Sequence, residues 1–490
     1  MDRSVDATLA GARAAVLWRL WCALGREGLV PEATGADPWE QADPLVAHGD
    51  PGGLARALGL AEGFAAELDN SVANLALARA AQPPPDGGPP TMDRAAASPD
   101  PLVYTEQCVV DGHPLHPCCR TRIGLTEAEV RAYAPEHRPV VPLQPVAVPP
   151  QRWYGFNGPP KLWMHPWQYH RVRDEYPWLT PDGPEIPARP LMSLRTLALD
   201  GDATRHVKTA VDIQMTSAVR TISPASVHNG PKLSGLLLSL VDRVPGVTIL
   251  PELSGGAVIV AGEPDRRLAV LHRGGPILAK GELAMPLAAL TAPSPANAAP
   301  IVTELVDAAY GGDPIAFVAG LATVVLPPLL GLLSFGVALE AHGQNLLGVV
   351  QIDPADPTAP PGGRFTRLLY RDFGGVRVSA ARLRQHGIEP PPLRGDIPSD
   401  DPEVLRTKVF ASAISTVLGE VIAVLGSATG MDTDKAWDRV AAVARVVEGP
   451  DTAAIFAPTL PLKATTAMRL ADDAISDVWT QVPNPMAGLR

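Results

Sequence analysis

Apolar residues recur at helical spacing in the first part of the chain and give way to short, strand-like runs further on. Over residues 4–80, leucine, alanine and valine repeat at helical spacing, which predicts a helical N-terminal region. Between residues 190 and 290, short β-branched or alternating runs are bounded by turn residues, and their close spacing predicts antiparallel strands. The predicted strands are Leu191–Leu199, His206–Ile222, Gly246–Leu250, Ala257–Ala261 and Leu268–Arg273.

The second half of the chain returns to helical patterns. Helices are predicted within 300–345, 400–448 and 465–480, and strands at Leu347–Ile352 and Arg367–Phe373 are joined by a loop at Asp353–Gly363. A stretch rich in proline, glycine and aspartate at 82–101 predicts an exposed linker. This order predicts an α+β fold with a mainly helical N-terminal region at 1–150, a mainly antiparallel β-rich domain at 151–300 and a mixed helical domain at 301–490.

One segment is apolar enough to raise the question of a membrane span. Pro314–Leu339 runs for 26 residues without a charged side chain, a length that could cross a bilayer. Pro327 and Pro328 interrupt it in the middle, and a polar cluster beginning at Glu340 follows directly. We therefore expect two buried helices that meet at a Pro-Pro turn, and no membrane partner.

Composition narrows the class of protein. A length of 490 residues favours two or three domains. The net charge of −11 argues against a nucleic-acid partner, because phosphate backbones require a basic face, so anionic substrates would need a local basic site. The four cysteines form no secreted disulfide framework, and the N-terminus shows no signal-peptide pattern, so we expect a cytoplasmic protein.

The first candidate for chemistry is the segment Gly112–Gly124, which contains His113, His116, Arg120 and Arg122. Two prolines keep this segment out of regular structure. Two imidazoles and two guanidiniums within ten residues suit an anion such as a triphosphate. The alternatives are a zinc site that includes the neighbouring Cys118 and Cys119, or a structural pair of loop histidines.

The predicted β-rich domain offers a second candidate at Ser193–Thr196. On a strand, Ser193 and Arg195 would share one face and Thr196 would point to the other. A bend there would let the hydroxyls and the guanidinium meet a phosphate. A solvated strand face is the alternative.

The third candidate lies between Lys208 and Arg220. On an extended strand, Lys208, Thr216 and Arg220 would all face the same way. Two cations with a hydroxyl between them suit a carboxylate or a phosphate. A solvated strand edge is the alternative here.

The fourth candidate comprises Glu340–Asn345 and, further on, Asp372. The cluster follows the long apolar run, so we expect it to be anchored to a core and to face a cleft. Glutamate, asparagine and aspartate supply hard oxygen ligands of the kind magnesium takes from protein while phosphates fill its other positions. For Asp372, the alternative is a turn-capping role before Gly374-Gly375.

The order Lys208, Asn345, Asp372 also resembles that of kinases, which use a strand lysine, a catalytic loop ending in asparagine and a metal-binding aspartate. Two features oppose a kinase. No Gly-x-Gly-x-x-Gly loop precedes Lys208, and the segment around His342 lacks an aspartate to serve as base. A kinase-like small-molecule phosphotransferase therefore remains the alternative function.

Together, these segments resemble the IucA/IucC (aerobactin-synthetase-like) family of siderophore synthetases that work without a peptide-synthetase assembly line. The matching places are Gly112–Gly124, His165–Gln168, Ser193–Thr196, Lys208–Arg220, Glu340–Asn345, Arg371-Asp372, Lys463–Leu470 and Asn484-Pro485, so the resemblance covers about residues 102–490. The chain departs from the family pattern at Arg120, where the family has lysine, and at Thr209, where it has an aliphatic residue. It is also shorter than many members before residue 100.

The resemblance implies a cupped-hand arrangement of N-terminal thumb, central fingers and C-terminal palm, with ATP and magnesium between fingers and palm. The residues implied to bind ATP are His116, Arg120, Ser193, Arg195, Thr196, Lys208, Gln344 and Asn345. Those implied for the carboxylate substrate are Thr216, Arg220 and His342, and those for magnesium are Glu340, Asn345 and Asp372. The implied catalytic residues are His342, Arg220 and Lys208.

The reaction that follows from the resemblance is adenylation of a carboxylic acid, citrate or a related one, at the α-phosphorus of ATP. An amine, hydroxylamine or alcohol then attacks the acyl-adenylate and releases AMP. His342 would either position the acid or help remove a proton from the nucleophile. No covalent enzyme intermediate is required, so the cysteines receive no role. A homodimer is expected at the level of the family.

Overall fold

The computed structural model describes residues 3–30, 49–216, 218–352, 363–471 and 477–489. Ser217 and residues 353–362 of the predicted loop lie outside these ranges. Within them the chain combines helices with mainly antiparallel sheets, which confirms the predicted α+β class.

The described parts of the predicted N-terminal helical region are helical, and residues 31–48 of that prediction lie outside the described ranges. Helices Arg3–Arg26, Pro51–Ala57 and Glu62–Ala80 enclose an apolar cluster of their own, with Leu20 and Leu68 fully buried. Its contact with the other end of the chain is polar. Both carboxylate oxygens of Glu27 accept hydrogen bonds from the backbone N–H groups that begin helix Thr465–Leu470. The first and last parts of the chain therefore pack together.

The stretch at 82–101 is more than an exposed linker. It contains a short helix, Thr91–Ala96, whose Met92 and Ala95 are buried in the largest apolar cluster of the protein. The backbone N–H of Thr91 donates to Glu304 at 2.8 Å. Two apolar residues at helical spacing were enough to anchor the segment, although prolines and glycines dominate its composition.

The central sheet has nine strands. In spatial order they are Trp153–Phe156, Glu252–Val260, Glu263–Gly274, Asp202–Thr209, Thr196–Leu199, Ile186–Pro190, Val141–Ala147 and Lys161–Met164, with Thr180–Pro181 paired to Val141–Ala147. All of these pairs are antiparallel. Because Val141–Ala147 pairs with Lys161–Met164, the sheet extends across the predicted boundary at residue 150.

The long strand predicted at His206–Ile222 is wrong in its second half. The strand ends at Thr209, and the chain continues as a small three-stranded sheet of Arg122–Ile123, Gln214–Met215 and Ala218–Val219. Thr216, with φ of 49°, forms the turn between the last two strands. The shared face predicted for Lys208, Thr216 and Arg220 therefore does not arise from one extended strand.

A second sheet of four strands lies in the C-terminal half, in the order Val247–Ile249, Arg364–Tyr370, Leu346–Gln351 and Glu282–Pro286. The first pair is parallel and the other two are antiparallel. Since Glu282–Pro286 pairs with Leu346–Gln351, this sheet crosses the predicted boundary at residue 300. Two-stranded sheets complete the fold, formed by Val337–Ala338 with Arg377–Val378 and by Thr459–Lys463 with Trp479–Pro483. The helix predicted over 465–480 ends at Leu470, and a strand begins at Trp479.

Pro314–Ser334 is one helix, not two helices meeting at a turn. Pro327 and Pro328 lie inside it and withhold two backbone donors, but apolar neighbours bury the helix along its length. By length and composition, this helix and Pro402–Thr429 could each cross a membrane. In their most apolar windows 56% and 61% of the residues are buried inside the protein, which is the behaviour of core helices.

The remaining helices are shorter than Pro314–Ser334 and pack against the sheets or against other helices. They are Pro101–Gln107, Glu127–Tyr133, Pro166–Val172, Pro224–Val241, Ile301–Tyr310, Ala380–Gln385 and Thr433–Arg445. Pro224–Val241 packs on Glu252–Val260 and so links the two larger sheets.

Candidate active site

A cavity of about 1070 Å³ lies where the central sheet, the segment after Gly112 and the C-terminal half meet. Among its lining residues are His116, Arg120, Ser193, Arg195, Lys208, Thr216, Arg220, Glu340, His342, Gln344, Asn345 and Asp372. These come from five separate stretches of sequence. The structure thus brings the predicted site residues to one cavity, with the exception of Thr196.

Thr196 instead supports the turn that precedes it. Its backbone N–H donates to Ser193 Oγ at 3.1 Å, and Leu194 takes φ of 62°. The bend considered for this segment is therefore present, and it replaces the first half of the strand predicted at Leu191–Leu199. Thr196 also pairs with Lys208 in the sheet, so the turn and the lysine are fixed to each other.

The histidines lie on a loop that the first helix holds. Arg19 Nε donates to the carbonyl of Pro114 at 3.0 Å. Nδ1 of His113 accepts the N–H of Leu115, and Nδ1 of His116 accepts the N–H of Cys118. An imidazole nitrogen that accepts a backbone hydrogen bond bears no proton, so each neutral ring has its proton on Nε2.

Burial keeps both rings neutral. It lowers the pKa of His113 to about 3, helped by the nearby charges of His342 and Arg19, and it lowers the pKa of His116 well below the ordinary value. The pair therefore supplies uncharged N–H donors at physiological pH, and these donors can bind an anion without a change of protonation.

The zinc alternative gains no geometric support. Sγ of Cys118 points to Glu67, at 3.8 Å from Oε2, and Sγ of Cys119 lies 3.6 Å from Ser71 Oγ. Both thiols thus lie in the apolar cluster of the N-terminal helices. Within the described ranges, no three His, Cys, Asp or Glu side chains are grouped so as to hold a metal.

Arg120 lines the cavity but uses its guanidinium elsewhere. Nε donates to the carbonyl of Val110 at 2.7 Å and Nη2 donates to the carbonyl of Val109. Nη1 lies 3.7 Å from Glu136. Nε and Nη2 thus brace the loop, and the ATP contact implied for Arg120 stays a prediction.

Lys208 and Asp372 form a close ion pair in the cavity. Lys208 Nζ lies 2.8 and 2.7 Å from the two carboxylate oxygens, and Arg273 lies 3.7 Å from one of them. Burial acts to raise the pKa of Asp372, but Lys208 and Arg273 outweigh it and hold that pKa well below the ordinary value. Asp372 is therefore ionised, at a turn where its φ is 69°.

Arg195 and Arg220 add positive charge that no carboxylate in the described part of the chain neutralises by an ion pair. Arg195 Nη1 donates to the carbonyl of Thr221 at 2.6 Å, and Arg220 Nη2 donates to Thr216 Oγ1. Burial, followed by the charge of Arg220, lowers the pKa of Arg195 to about 10. Two guanidiniums held this close in a protein interior favour a bound anion.

A cluster of lysines and carboxylates lies in the C-terminal half. Lys463 is 3.0 Å from Glu340 and 2.7 Å from Asp477, and Lys408 pairs with the same two carboxylates. Burial opposes ionisation of Glu340, yet Lys463 and Lys408 lower its pKa. Sequence reasoning did not single out Lys408 or Asp477. Lys408 could have been noticed in the sequence as a cation that directly precedes a long apolar run.

Arg371 and Glu106 connect the two halves of the site. Arg371 donates to the carbonyl of Gln344 at 2.8 and 3.2 Å and lies 2.5 Å from Glu106. The second oxygen of Glu106 accepts the N–H of Met192 at 2.8 Å. This buried pair thereby fixes the turn at 193–196 relative to the loop containing Gln344 and Asn345. Glu106 was missed because nothing in its local sequence indicates a partner 265 residues away.

The proposed magnesium ligands lie on the cavity wall but each carboxylate already has a cation beside it. A Cβ on Gly375 would come within 1.8 Å of Glu340 Oε2, so glycine there lets the turn after Asp372 pass against Glu340. Glu340, Asn345 and Asp372 supply two carboxylates and one amide oxygen. Such a set fits a magnesium ion that binds together with phosphates rather than on protein ligands alone.

Comparison with known proteins agrees with this arrangement. The family model described as "IucA / IucC family" matches residues 101–155 and 161–292, and the model described as "Ferric iron reductase FhuF-like transporter" matches residues 316–477. The four cysteines of the chain lie outside the second match.

Curated relatives include two from Staphylococcus aureus. Staphyloferrin A synthase is 27% identical over 439 residues, covering 79% of this chain and 73% of that protein. D-ornithine–citrate ligase is 24% identical over 515 residues, covering 86% of this chain and 76% of that protein.

Among solved structures, ATP-bound aerobactin synthetase IucA from a hypervirulent Klebsiella pneumoniae superposes with a TM-score of 0.73 at 19% identity, covering 89% of this chain and 85% of the other. That likeness shows a shared fold. The family-model match identifies residues 101–155 and 161–292 as belonging to the IucA/IucC family, and the two curated relatives, a synthase and a ligase, match most of the chain.

Proposed function

We propose that this protein is an ATP-dependent synthetase that activates citrate or a related carboxylic acid as its adenylate and condenses it with an amine, a hydroxylamine or an alcohol. AMP and pyrophosphate are released, and the product is an amide or an ester. The observation that supports this most directly is the excess of positive charge at Arg195, Lys208 and Arg220 in a cavity of about 1070 Å³.

The phosphates of ATP lie against Lys208, Arg195 and the hydroxyl of Ser193, with the N–H of His116 as a neutral donor. Lys208 stands beside Asp372, so it is held in place before the nucleotide arrives. Such preorganised cations stabilise charge that develops on the phosphates as pyrophosphate leaves. Gln344 and Asn345 line the same cavity, and Arg371 holds their loop.

The carboxylic acid lies against Arg220, Thr216 and His342. Arg220 donates a hydrogen bond to the Thr216 hydroxyl, so the guanidinium and the hydroxyl face the acid together. A guanidinium matches a carboxylate through two parallel hydrogen bonds, which would fix the attacking oxygen. Burial lowers the pKa of His342 despite the neighbouring charge of Glu340, so its neutral ring can accept a proton from the nucleophile.

Magnesium fits Asp372, Asn345 and Glu340 once phosphates are present. When bound, it supplies neutralisation of phosphate charge. We expect magnesium affinity to be weak without ATP, because Lys208 and Lys463 stand beside the two carboxylates. We also propose that the protein is cytoplasmic and forms a homodimer, as expected from the family.

The test is a matrix of acids and amines, read as nucleotide product and product mass. The proposal expects AMP and pyrophosphate when both an acid and a nucleophile are present, with hydroxylamine as a small general nucleophile. ADP as the product would instead support the kinase-like phosphotransferase suggested by the order Lys208, Asn345, Asp372. Failure of citrate, 2-oxoglutarate and succinyl-amines to yield AMP with hydroxylamine would refute the synthetase.

A further inference from the structure

One wall of the cavity is formed by helix Pro402–Thr429, whose middle part, Phe410–Leu418, has π geometry. Thr416 Oγ1 donates to the carbonyl five residues earlier, at 2.8 Å. In an α-helix, residues four apart are rotated about the axis by slightly more than one full turn. In the wider π-helix, they are rotated by slightly less than one full turn. The mixture keeps four side chains on the cavity wall at intervals of four residues, namely Lys408, Ser412, Thr416 and Glu420.

Three of these side chains have partners within the protein. Lys408 pairs with Asp477, Ser412 accepts the N–H of Ala341 at 2.9 Å, and the Thr416 hydroxyl donates within its own helix. Glu420 differs. Its Oε1 is buried and accepts no hydrogen bond from the described residues.

The other buried carboxylates of the cavity wall provide a contrast. Glu340, Asp372 and Asp477 each contact a lysine within 3.0 Å. Glu420 has no ion pair in the described part of the chain. A buried acceptor left without a donor costs on the order of 1–3 kcal/mol, so an unfilled acceptor in a cavity wall indicates a ligand that supplies the donor.

The position of Glu420 follows from its neighbours. Burial raises its pKa to about 8, against the opposing charges of Arg26 and Arg19. Arg19 also holds the carbonyl of Pro114, so Glu420 lies near the end of the cavity formed by the histidine loop. Leu115, Leu462 and Met468 line the same cavity and could pack against an alkyl chain.

We propose that Glu420 accepts the N–H groups of the nucleophile, so that the π-helical wall is the subsite for a primary amine with an aliphatic chain. This inference rests on the proposed function, since it assigns the second substrate of that reaction. Different groups meet the two substrates in one cavity. The acid's carboxylate is attracted to Arg220, whereas an ammonium group beside Glu420 stabilises the ionised carboxyl and donates hydrogen bonds to it.

The experiment measures binding and kinetics on the full chain. Calorimetry with ornithine, putrescine, cadaverine and ethanolamine is carried out on the protein and on Glu420→Gln, which keeps side-chain volume and replaces the ionisable carboxyl group with an amide that cannot ionise. For the amine that binds, we expect Kd and KM to rise about tenfold in Glu420→Gln, the loss of one charge-assisted hydrogen bond. KM for ATP and for the acid should change less than about twofold. For Glu420→Asp, Kd and KM for the amine should lie between those of the unaltered protein and those of Glu420→Gln.

Glu403→Gln is the matched control, because it makes the same change at an exposed position of the same helix. It should leave amine binding as it is. The inference is overturned if no amine binds the unaltered protein, if Glu420→Gln binds amines as tightly, or if its KM for ATP and acid rises as much as that for the amine. Absence of AMP with every acid refutes the proposed function instead, and the calorimetry still decides on the subsite.

Discussion

The basic end of the cavity and the lysine–carboxylate cluster of the C-terminal half contain similar residues but differ in balance. At the basic end, Arg195, Arg220, Lys208 and Arg273 meet two carboxylates, Asp372 and Glu252. In the C-terminal cluster, two lysines, Lys408 and Lys463, meet two carboxylates, Glu340 and Asp477. Arg377, 3.9 Å from Asp477, has a closer partner of its own in Asp396. Four cations against two anions leave a site for a bound anion, whereas the cations and carboxylates of the C-terminal cluster are equal in number and satisfy each other.

The largest effect on activity is expected at Lys208, at the basic end of the cavity. We expect Lys208→Met to lower the rate of acid-dependent pyrophosphate exchange by about 100-fold or more, because a preorganised cation at the phosphates is lost. Lys161, a half-buried lysine of the same sheet that pairs with Asp182, provides the control Lys161→Met. Equal rates for Lys208→Met and the control would show that the basic end is not the nucleotide site.

A smaller effect is expected for Arg220→Lys, which keeps the charge and loses the planar fork. KM for the acid should rise about tenfold while KM for ATP changes little, since a lysine cannot form two parallel hydrogen bonds to a carboxylate or hold Thr216 in the same way. Steady-state kinetics with each substrate varied in turn provides the measurement. An equal rise in both KM values would place Arg220 at the phosphates instead of the acid.

The smallest effect on chemistry is expected at Lys463, in the balanced cluster. Lys463→Met should lower the free energy of unfolding by about 1–2 kcal/mol, because Glu340 and Asp477 are then left with one lysine between them. Pyrophosphate exchange should fall much less than in Lys208→Met. Lys435→Met, at an exposed pair, serves as the control.

The pH dependence of the Tm difference tests whether Lys463 stabilises the fold through its charge. The pKa of Glu340 is lowered, and that of Asp477 is lowered from 3.8 to about 2, because the lysines outweigh burial. Groups with a depressed pKa stabilise the fold above their unfolded pKa and lose that contribution as pH falls through the folded value. The Tm difference between the protein and Lys463→Met should therefore be full at neutral pH and shrink between about pH 4 and 2. A difference that stays constant would show that the lysine acts through packing.

Much of this site could be predicted from the sequence because its residue types occur in short, ordered motifs. His116, Lys208, His342 and Asp372 were each found from local context and share one cavity. The motif order also identified the family, which the comparisons confirm. Roles of individual residues, and the division into three domains, stay predictions.

Other features depended on packing that no local pattern reveals. The strand predicted through Thr216 breaks because a non-glycine residue takes a positive φ in a turn. The two prolines were expected to end a helix, yet apolar burial on its sides keeps Pro314–Ser334 continuous. Arg120 was expected to bind an anion, and the structure shows that backbone carbonyls nearby take two of its donors.

The sequence by itself determined which chemical groups are available and in what order, since histidine, arginine and lysine next to turn-forming residues have the same chemistry wherever the chain places them. Only the tertiary structure decided which charges are neutralised. Coulomb interaction depends on distance in space, and the pairs that matter join Lys208 to Asp372 and Arg371 to Glu106, 164 and 265 residues apart. The same packing left Arg195, Arg220 and Glu420 without an ion pair in the described chain, and our proposals place the phosphates, the acid and the amine at these three side chains in turn.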